Sequence, residues 1–528
     1  MLISAYLLSI GLMISLPPIL AASLRRRFRL PWLLFCAGML TFAASQAVHL
    51  PLNERLAEWG ILPGAGRLDN PPLWQTALVA GLTAGLCEEL ARAAGFALLR
   101  RYRALEHGVM LGLGHGGLEA MVFGGVMVAA TFSALLPLSG SDLQALPLLP
   151  EQRQTLELQL NTLLASPWNA MLPLLERLIA LGLQVIFSVI VLQAFSPTGS
   201  KYNRLRGAGY ILLAILYHTT VDAAAVWLLA KNLNPWLLEG AFALCLLPGA
   251  AWLFWRFTSS PPAIHSAAPL AQEWAVFLAA LRKEFLQQWR TRRILVVAAV
   301  FGLFGMASPL MAYFTPQLLG LIPGGEQFAS LVPPPSVADA FAQYHKNITQ
   351  FGFLLAVLLG MNAVAGEKES GTAALILSKP MNRWAFIVSK FVTQASVYLG
   401  GLLLAMIGAG SYTAVLFEAS DWNVWLSASA LLYLWLLPFV AITLLGSVIG
   451  ATTSVAAGAA LAGSVALLLI GSLPAASSFF PGALSGWAAQ LGAGTPPQVW
   501  NGGALAATLV LCLVCLLFAI AIFEQQEV

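Results

Sequence analysis

Residues 73–99 read LWQTALVAGLTAGLCEELARAAGFALL, an apolar run interrupted only by Glu88, Glu89 and Arg92. Its length suits a helix crossing a ~30 Å hydrocarbon core, for which about 20 residues suffice. A charge inside such a helix costs several kcal/mol and so faces a partner. Two further runs carry the same signature. Residues 105–136 hold His115 and Glu119 one turn apart, and residues 207–230 hold His218 and Asp222 in the same spacing. Glu88, His115 and His218 each lie twelve residues from a basic residue at a helix end (Arg100, Arg103 and Arg206). At ~1.5 Å per residue all three sit about 18 Å deep, near mid-bilayer. Ionisable groups converging at one depth read as a site built inside the membrane.

Working outward, 59% of the 528 residues are hydrophobic and 9% are charged, against about 25% charged in a soluble domain. The expected fold is therefore an all-α polytopic membrane protein. A transmembrane barrel would alternate in ten-residue segments, and no such pattern occurs. Candidate spans are 2–24, 32–51, 73–99, 105–136, 171–195, 207–230 and 235–257, then 294–314, 349–365, 386–417, 425–449, 455–474 and 501–523. Seven spans and then six place Arg25 to Arg29, Arg100 to Arg103, Lys201 to Arg206, Arg256, Arg282 to Arg293 and Lys368 to Arg383 on one side. The polar loops 137–170 and 315–347 fall opposite. The positive-inside rule then puts the N-terminus outside and the C-terminus in the cytosol. The first run has its basic residues after it, the reverse of a secretory signal peptide, so it reads as a retained helix. The net charge of +4 belongs to cytosolic loops and implies no nucleic acid. Cys36, Cys87, Cys245, Cys512 and Cys515 lie in apolar runs; Cys512 and Cys515 have no second ligand pair and read as packing residues.

Between residues 258 and 272 the composition turns to Ser, Pro and Ala, a linker. Glu273 to Arg293 beyond it is basic and amphipathic, with Trp274, Phe277, Leu281, Phe285 and Trp289 at helical spacing, as in a helix lying in the interface. The expected domains are 1–257, a linker 258–272, and 273–528.

Within C-E-E-L-A-R, Arg92 can neutralise either Glu88 or Glu89 from one helix face, leaving the other carboxylate to take protons from water. G-H-G-G-L-E surrounds His115 and Glu119 with Gly112, Gly114, Gly116 and Gly117, which let neighbouring helices approach. Y-H-T-T-V-D places His218 and Asp222. In this order, the three boxes resemble the glutamate-type intramembrane proteases of the CAAX-protease and bacteriocin-processing superfamily. The second box is closest to their YhfC-type branch. The resemblance covers about residues 1–257. It implies that Glu88 activates water as general base with help from His115, and that His218 stabilises the oxyanion. Glu89, Arg92, Glu119 and Asp222 would support them, Asp222 standing where many members have asparagine. A desolvated glutamate beside a histidine suits such base work. The favoured reading needs no metal. Zinc is the alternative, with His115, His218 and Glu88 or Glu119 as donors, although no H-E-x-x-H fixes a ligand pair on one helix. A buried polar network that only holds helices together is the competing structural reading. Glu176 and Arg177 read as an interfacial ion pair, and His49, His107, His265 and His345 carry no signal.

In the second half, A-V-A-G-E-K-E-S-G-T-A-A-L-I-L-S-K-P-M-N-R-W-A-F-I-V-S-K, residues 363–390, resembles the cytosolic loop of type-2 ABC exporter permeases. L-R-K-E-F-L-Q-Q-W-R-T-R-R resembles their interfacial elbow helix. The resemblance covers about residues 273–528. It implies coupling to a soluble ATPase through Glu367, Glu369, Gly371, Thr372, Lys379, Pro380 and Arg383, and assembly as a homodimer. No nucleotide-binding loop occurs in the chain, so ATP would be hydrolysed by a separate subunit. No charged residue lies in mid-span here, which argues against a proton-driven transporter. The combined expectation is a cell-membrane fusion, in a bacterial inner membrane, of an intramembrane protease acting on peptides or membrane proteins and an exporter permease. The alternative is a permease whose first half is an inactive scaffold.

Overall fold

A computed structural model describes residues 1–64, 70–140, 150–195, 203–231, 233–259, 262, 269–320, 333–379, 381–474, 477–495 and 501–527. All regular structure among them is helical. Twelve helices are long and apolar enough to cross a membrane. Leu73–Leu98, 26 residues long, has the length of a span and is set apart from those twelve by Glu88, Glu89 and Arg92. With it, the helices follow the seven-plus-six pattern read from the sequence. The chain divides into two units, Met1–Ala267 and Ala268–Val528. Most of the expected linker lies outside the described residues.

The first unit comprises α1 (Leu2–Phe28), α2 (Trp32–Glu58), α3 (Leu73–Leu98), α4 (Leu105–Glu119), α5 (Pro150–Ala165), α6 (Leu172–Gln193), α7 (Asn203–Leu229) and α8 (Pro235–Ser259). Beyond Glu119, α4 continues through a π turn at Ala120–Val126 into Met127–Leu135. Such a turn inserts a residue into the helical ladder and recurs at functional sites. The glycines of the second box do what their spacing predicts. A Cβ on Gly114 would overlap the carbonyl oxygen of Phe35 in α2, and one on Gly112 would stand 2.6 Å from the Val185 Cα in α6. His115 is thereby carried between two helices at near backbone contact. We expect Gly114→Ala to cost about 1–3 kcal/mol through overpacking, seen as a lower thermal midpoint of the detergent-purified chain. Gly11→Ala, where a Cβ meets nothing within 4 Å, should leave that midpoint in place.

The second unit comprises α9 (Leu270–Arg290), α10 (Arg293–Tyr313), α11 (Val337–Gly360), α12 (Ala365–Glu369), α13 (Thr372–Leu377), α14 (Arg383–Phe417), α15 (Trp422–Ile449), α16 (Thr453–Gly471), α17 (Gly482–Gly492) and α18 (Gly502–Gln525). One span differs from expectation. α11 starts at Val337, not 349, because Ser336 and Asp339 form a capping box: the Asp339 amide donates to Ser336 Oγ at 3.3 Å and the Ser336 amide to Asp339 Oδ2 at 2.9 Å. Its polar residues, which suggest a loop, are instead satisfied by neighbours. Asn347 Nδ2 donates to Ser308 Oγ at 2.9 Å, and His345 Nε2 lies 2.8 Å from Ser485 Oγ. α11 ends at Gly360 in a turn held by Ser447 Oγ, which accepts from the Val364 and Ala365 amides at 2.9 and 3.0 Å. On α9, Trp274 and Trp289 stay exposed while Phe277, Ala280, Glu284 and Gln288 are buried. Both tryptophans and Phe285 of the stripe thus face outward, while Phe277 packs inward on the face that also carries a carboxylate.

Candidate active site

The three boxes of the first unit meet. α3 supplies Glu88, 6% exposed, with Glu89 and Arg92 fully buried; α4 supplies His115, fully buried; α7 supplies His218, 3% exposed. Glu88 Oε2 lies 3.1 Å from His115 Nε2 and 3.9 Å from His218 Nε2. Glu89 pairs with Arg92 and also lies, through Oε1, 2.7 Å from His218 Nδ1. Arg92 keeps 3.6 Å from Glu88 Oε2. The arginine therefore neutralises Glu89 and leaves Glu88 as the carboxylate addressed by both imidazoles. Asp222 Oδ2 stands 3.4 Å from His218 Nε2, a longer contact than that of Glu89, so Glu89 is the carboxylate that orients the ring. Phe187 stacks on His218 with centroids 4.7 Å apart.

Three residues that the sequence reading passed over, and one it read differently, complete the network. Gln184 of α6 donates from Nε2 to Glu88 Oε2 at 3.1 Å and to Glu119 Oε2 at 2.7 Å, while its Oε1 accepts from Arg92. Gln46 of α2 donates to Glu88 Oε1 at 3.2 Å. Arg177, expected only as half of an interfacial pair with Glu176, also donates to Glu119 Oε1 at 2.9 Å. Thr41 Oγ1 lies 2.9 Å from His115 Nδ1 and donates to the Gly38 carbonyl at 2.7 Å. That donation leaves Thr41 Oγ1 to accept from His115 Nδ1–H. His218 is set the same way, its Nδ1–H given to Glu89. A lone Gln inside the apolar run around residue 184 was the available signal; Thr41 and Gln46 offered none.

A cavity of about 130 Å³ opens onto this network, lined among others by Glu88, Glu119, Gln184, His218 and Asp222. Among the described residues no group of three or more His, Cys, Asp or Glu is drawn together as a ready metal-ligand cluster. The donor chemistry nevertheless fits a divalent cation. The Nε2 atoms of His115 and His218 converge on the Glu88 carboxylate, and each Nδ1 is anchored by Thr41 or Glu89, as ligating histidines require.

In the second unit, charged residues gather in the interior. Lys390, near the start of α14, is 2% exposed, with Glu284 and Glu367 each at 5%. Lys283 Nζ lies 2.7 Å from both Glu284 and Glu367, and Lys390 Nζ 2.9 Å from both. The four form a closed ring of alternating sign joining α9, α12 and α14. Glu367 is thereby corrected from a partner-facing residue to an interior one. Glu369, exposed, accepts from the Thr453 amide at 3.1 Å, and Arg383 donates to the Gln526 carbonyl at 2.6 Å. Gly371, Thr372 and Lys379 remain exposed, and Gly371 takes a left-handed φ of 71° at the start of α13. Pro380 lies outside the described residues.

Fold and sites together define a multi-pass cell-membrane protein with a buried carboxylate–imidazole centre in one unit and a six-span bundle in the other. The comparisons with known proteins agree. Residues 12–242 match the family described as YhfC intramembrane metalloprotease, and residues 278–491 match ABC-2 family transporter protein. The chain is 28% identical over 232 residues to the membrane protein YhfC of Bacillus subtilis, covering 42% of this chain and 85% of that one. It is 27% identical over 188 residues to the transmembrane protein YxlG of the same organism, covering 34% and 71%. It is 31% identical over 133 residues to a protein of Pseudomonas aeruginosa described as the probable ABC transporter permease NosY, covering 25% and 42%. The resemblances read from the two sets of motifs are therefore shown, one in each half.

Proposed function

We propose that the first unit hydrolyses peptide bonds within the bilayer and that the second forms an ATP-driven export path with a separate ATPase. The observation carrying the first part is the convergence of His115 Nε2 and His218 Nε2 on Glu88 Oε2, at 3.1 and 3.9 Å. Glu88 Oε1 accepts from Gln46, and it takes the proton of the attacking water. His115, 3.1 Å from Oε2, holds the carboxylate in place beside it. His218, anchored at Nδ1 by Glu89, stands where the oxyanion would be stabilised. Gln184 ties Glu88 to Glu119 and fixes the carboxylate plane. A divalent cation such as zinc, held by His115, His218 and Glu88, would polarise the carbonyl and lower the pKa of a bound water. Elemental analysis of the purified chain is then expected to find a stoichiometric divalent ion that His115→Ala abolishes; equal metal content in both would remove the cation from this reading.

The second part rests on the ABC-2 likeness and on the exposed Gly371, Thr372 and Lys379, which an ATPase can reach. The primary test compares N-termini across the membrane proteome of cells with and without the chain. New N-termini within or beside membrane spans, present only with the chain, are the expected result. Identical profiles would leave the first unit as a scaffold for the permease.

A further inference from the structure

Four arginines of the first unit mark one end of its bundle. Arg100 and Arg103 join α3 to α4, Arg206 opens α7, and Arg256 closes α8. Between Glu88 and that end lies a packed layer of Ala93, Phe96, Leu111, Ile186, Ile190 and Leu192, all at most 8% exposed. The other direction is polar and open. The cavity runs past Leu183, Asp222 and Ala225 to Glu176 and Arg177. Glu119, already sixteen residues beyond Arg103, is about 24 Å along the helix axis from it. Exposure falls along this route toward the centre: the Glu176 side chain is 44% exposed, Glu119 15% and Glu88 8%. The links are hydrogen bonds, from Glu176 to Arg177, Glu119, Gln184 and Glu88 in turn.

We infer that water and substrate reach Glu88 only from the bundle end opposite the arginines, which the positive-inside rule assigns to the non-cytosolic side. Resting on the proposed hydrolysis, this specifies the substrate class. It is a membrane-anchored polypeptide whose scissile bond is presented from the non-cytosolic leaflet, and not a chain end arriving from the cytosol. The arginine end is closed by apolar packing that an incoming peptide would have to dismantle.

Cysteine accessibility tests this. Ala225→Cys in the cavity, Ile190→Cys in the packed layer and Arg101→Cys at the basic end are each made in the full chain. A membrane-impermeant maleimide is applied to intact cells and to inverted vesicles, with the parent chain and its five cysteines as background. Ala225→Cys should gain label from the face opposite to Arg101→Cys, and Ile190→Cys from neither. Should Ala225→Cys fail to accumulate, Leu183→Cys carries the same expectation. Labelling of the cavity cysteine from the same face as Arg101→Cys, or from neither face, overturns the inference. The readout needs no hydrolysis: absent cleavage with the expected labelling faults only the protease reading, and wrong-sided labelling with intact cleavage faults only the side of entry.

Discussion

Glu88→Gln should abolish the N-termini produced by the native chain, with a loss of about 10²–10⁴-fold or more in cleavage rate, the range ascribed to one positioned general base. The substitution is isosteric and leaves Arg92 paired with Glu89, so chain abundance and thermal midpoint should stay near native. Glu89→Gln offers the contrast. It strips Arg92, fully buried, of its counter-charge and His218 of its orienting carboxylate. Breaking a buried pair costs about 3–5 kcal/mol, so this variant should lose stability and abundance along with activity. Native-rate cleavage by Glu88→Gln would end the assignment of Glu88 as base. Equal destabilisation by both substitutions would reduce the site to a helix-holding network.

The second large effect belongs to the charge ring. Lys390→Met leaves Glu284 and Glu367 sharing Lys283 alone, and removal of one member of a buried ion cluster costs about 3–5 kcal/mol. Adding Glu284→Gln restores one anion to one cation and should recover much of that loss. The double-mutant cycle, read by thermal unfolding in detergent, should give a coupling above the ~0.3–0.5 kcal/mol scatter of independent sites. Simple additivity would mean the four residues do not act as a unit. Burial opposes the charge on Lys283, but Glu284 and Glu367 outweigh it and hold its ammonium above the usual lysine range. Its folded value is raised, so its contribution is complete below about pH 10.4, the ordinary lysine value. It is lost only as pH climbs through the raised one.

What could be read from the chain alone followed its charges. Glu88, His115 and His218 stand out because each interrupts an apolar run, and equal distance from a basic residue put them at one level. Gln184 and Thr41, equally part of the network, are neutral and common enough in helices to pass without notice. Arg177 was assigned to the surface because its neighbour Glu176 supplies a partner, whereas its more buried contact, Glu119, comes from 58 positions earlier. Lys390 was not singled out, since its partner Glu284 is remote in sequence. The start of α11 was hidden by polar residues whose partners lie on other helices. In each case the missing information was a contact between distant segments, which periodicity cannot carry.

The ring also imposes an order on biogenesis. Glu284 leaves the ribosome 106 residues ahead of Lys390. At about 5–20 residues per second this is a wait of roughly 5–20 s. During that interval the elbow helix has its carboxylate beside Lys283 but lacks the cation that closes the ring. The second unit therefore cannot lock until its third span has been synthesised, and a nascent chain stalled before that point would present an incomplete, charge-bearing face to the quality-control machinery of the membrane.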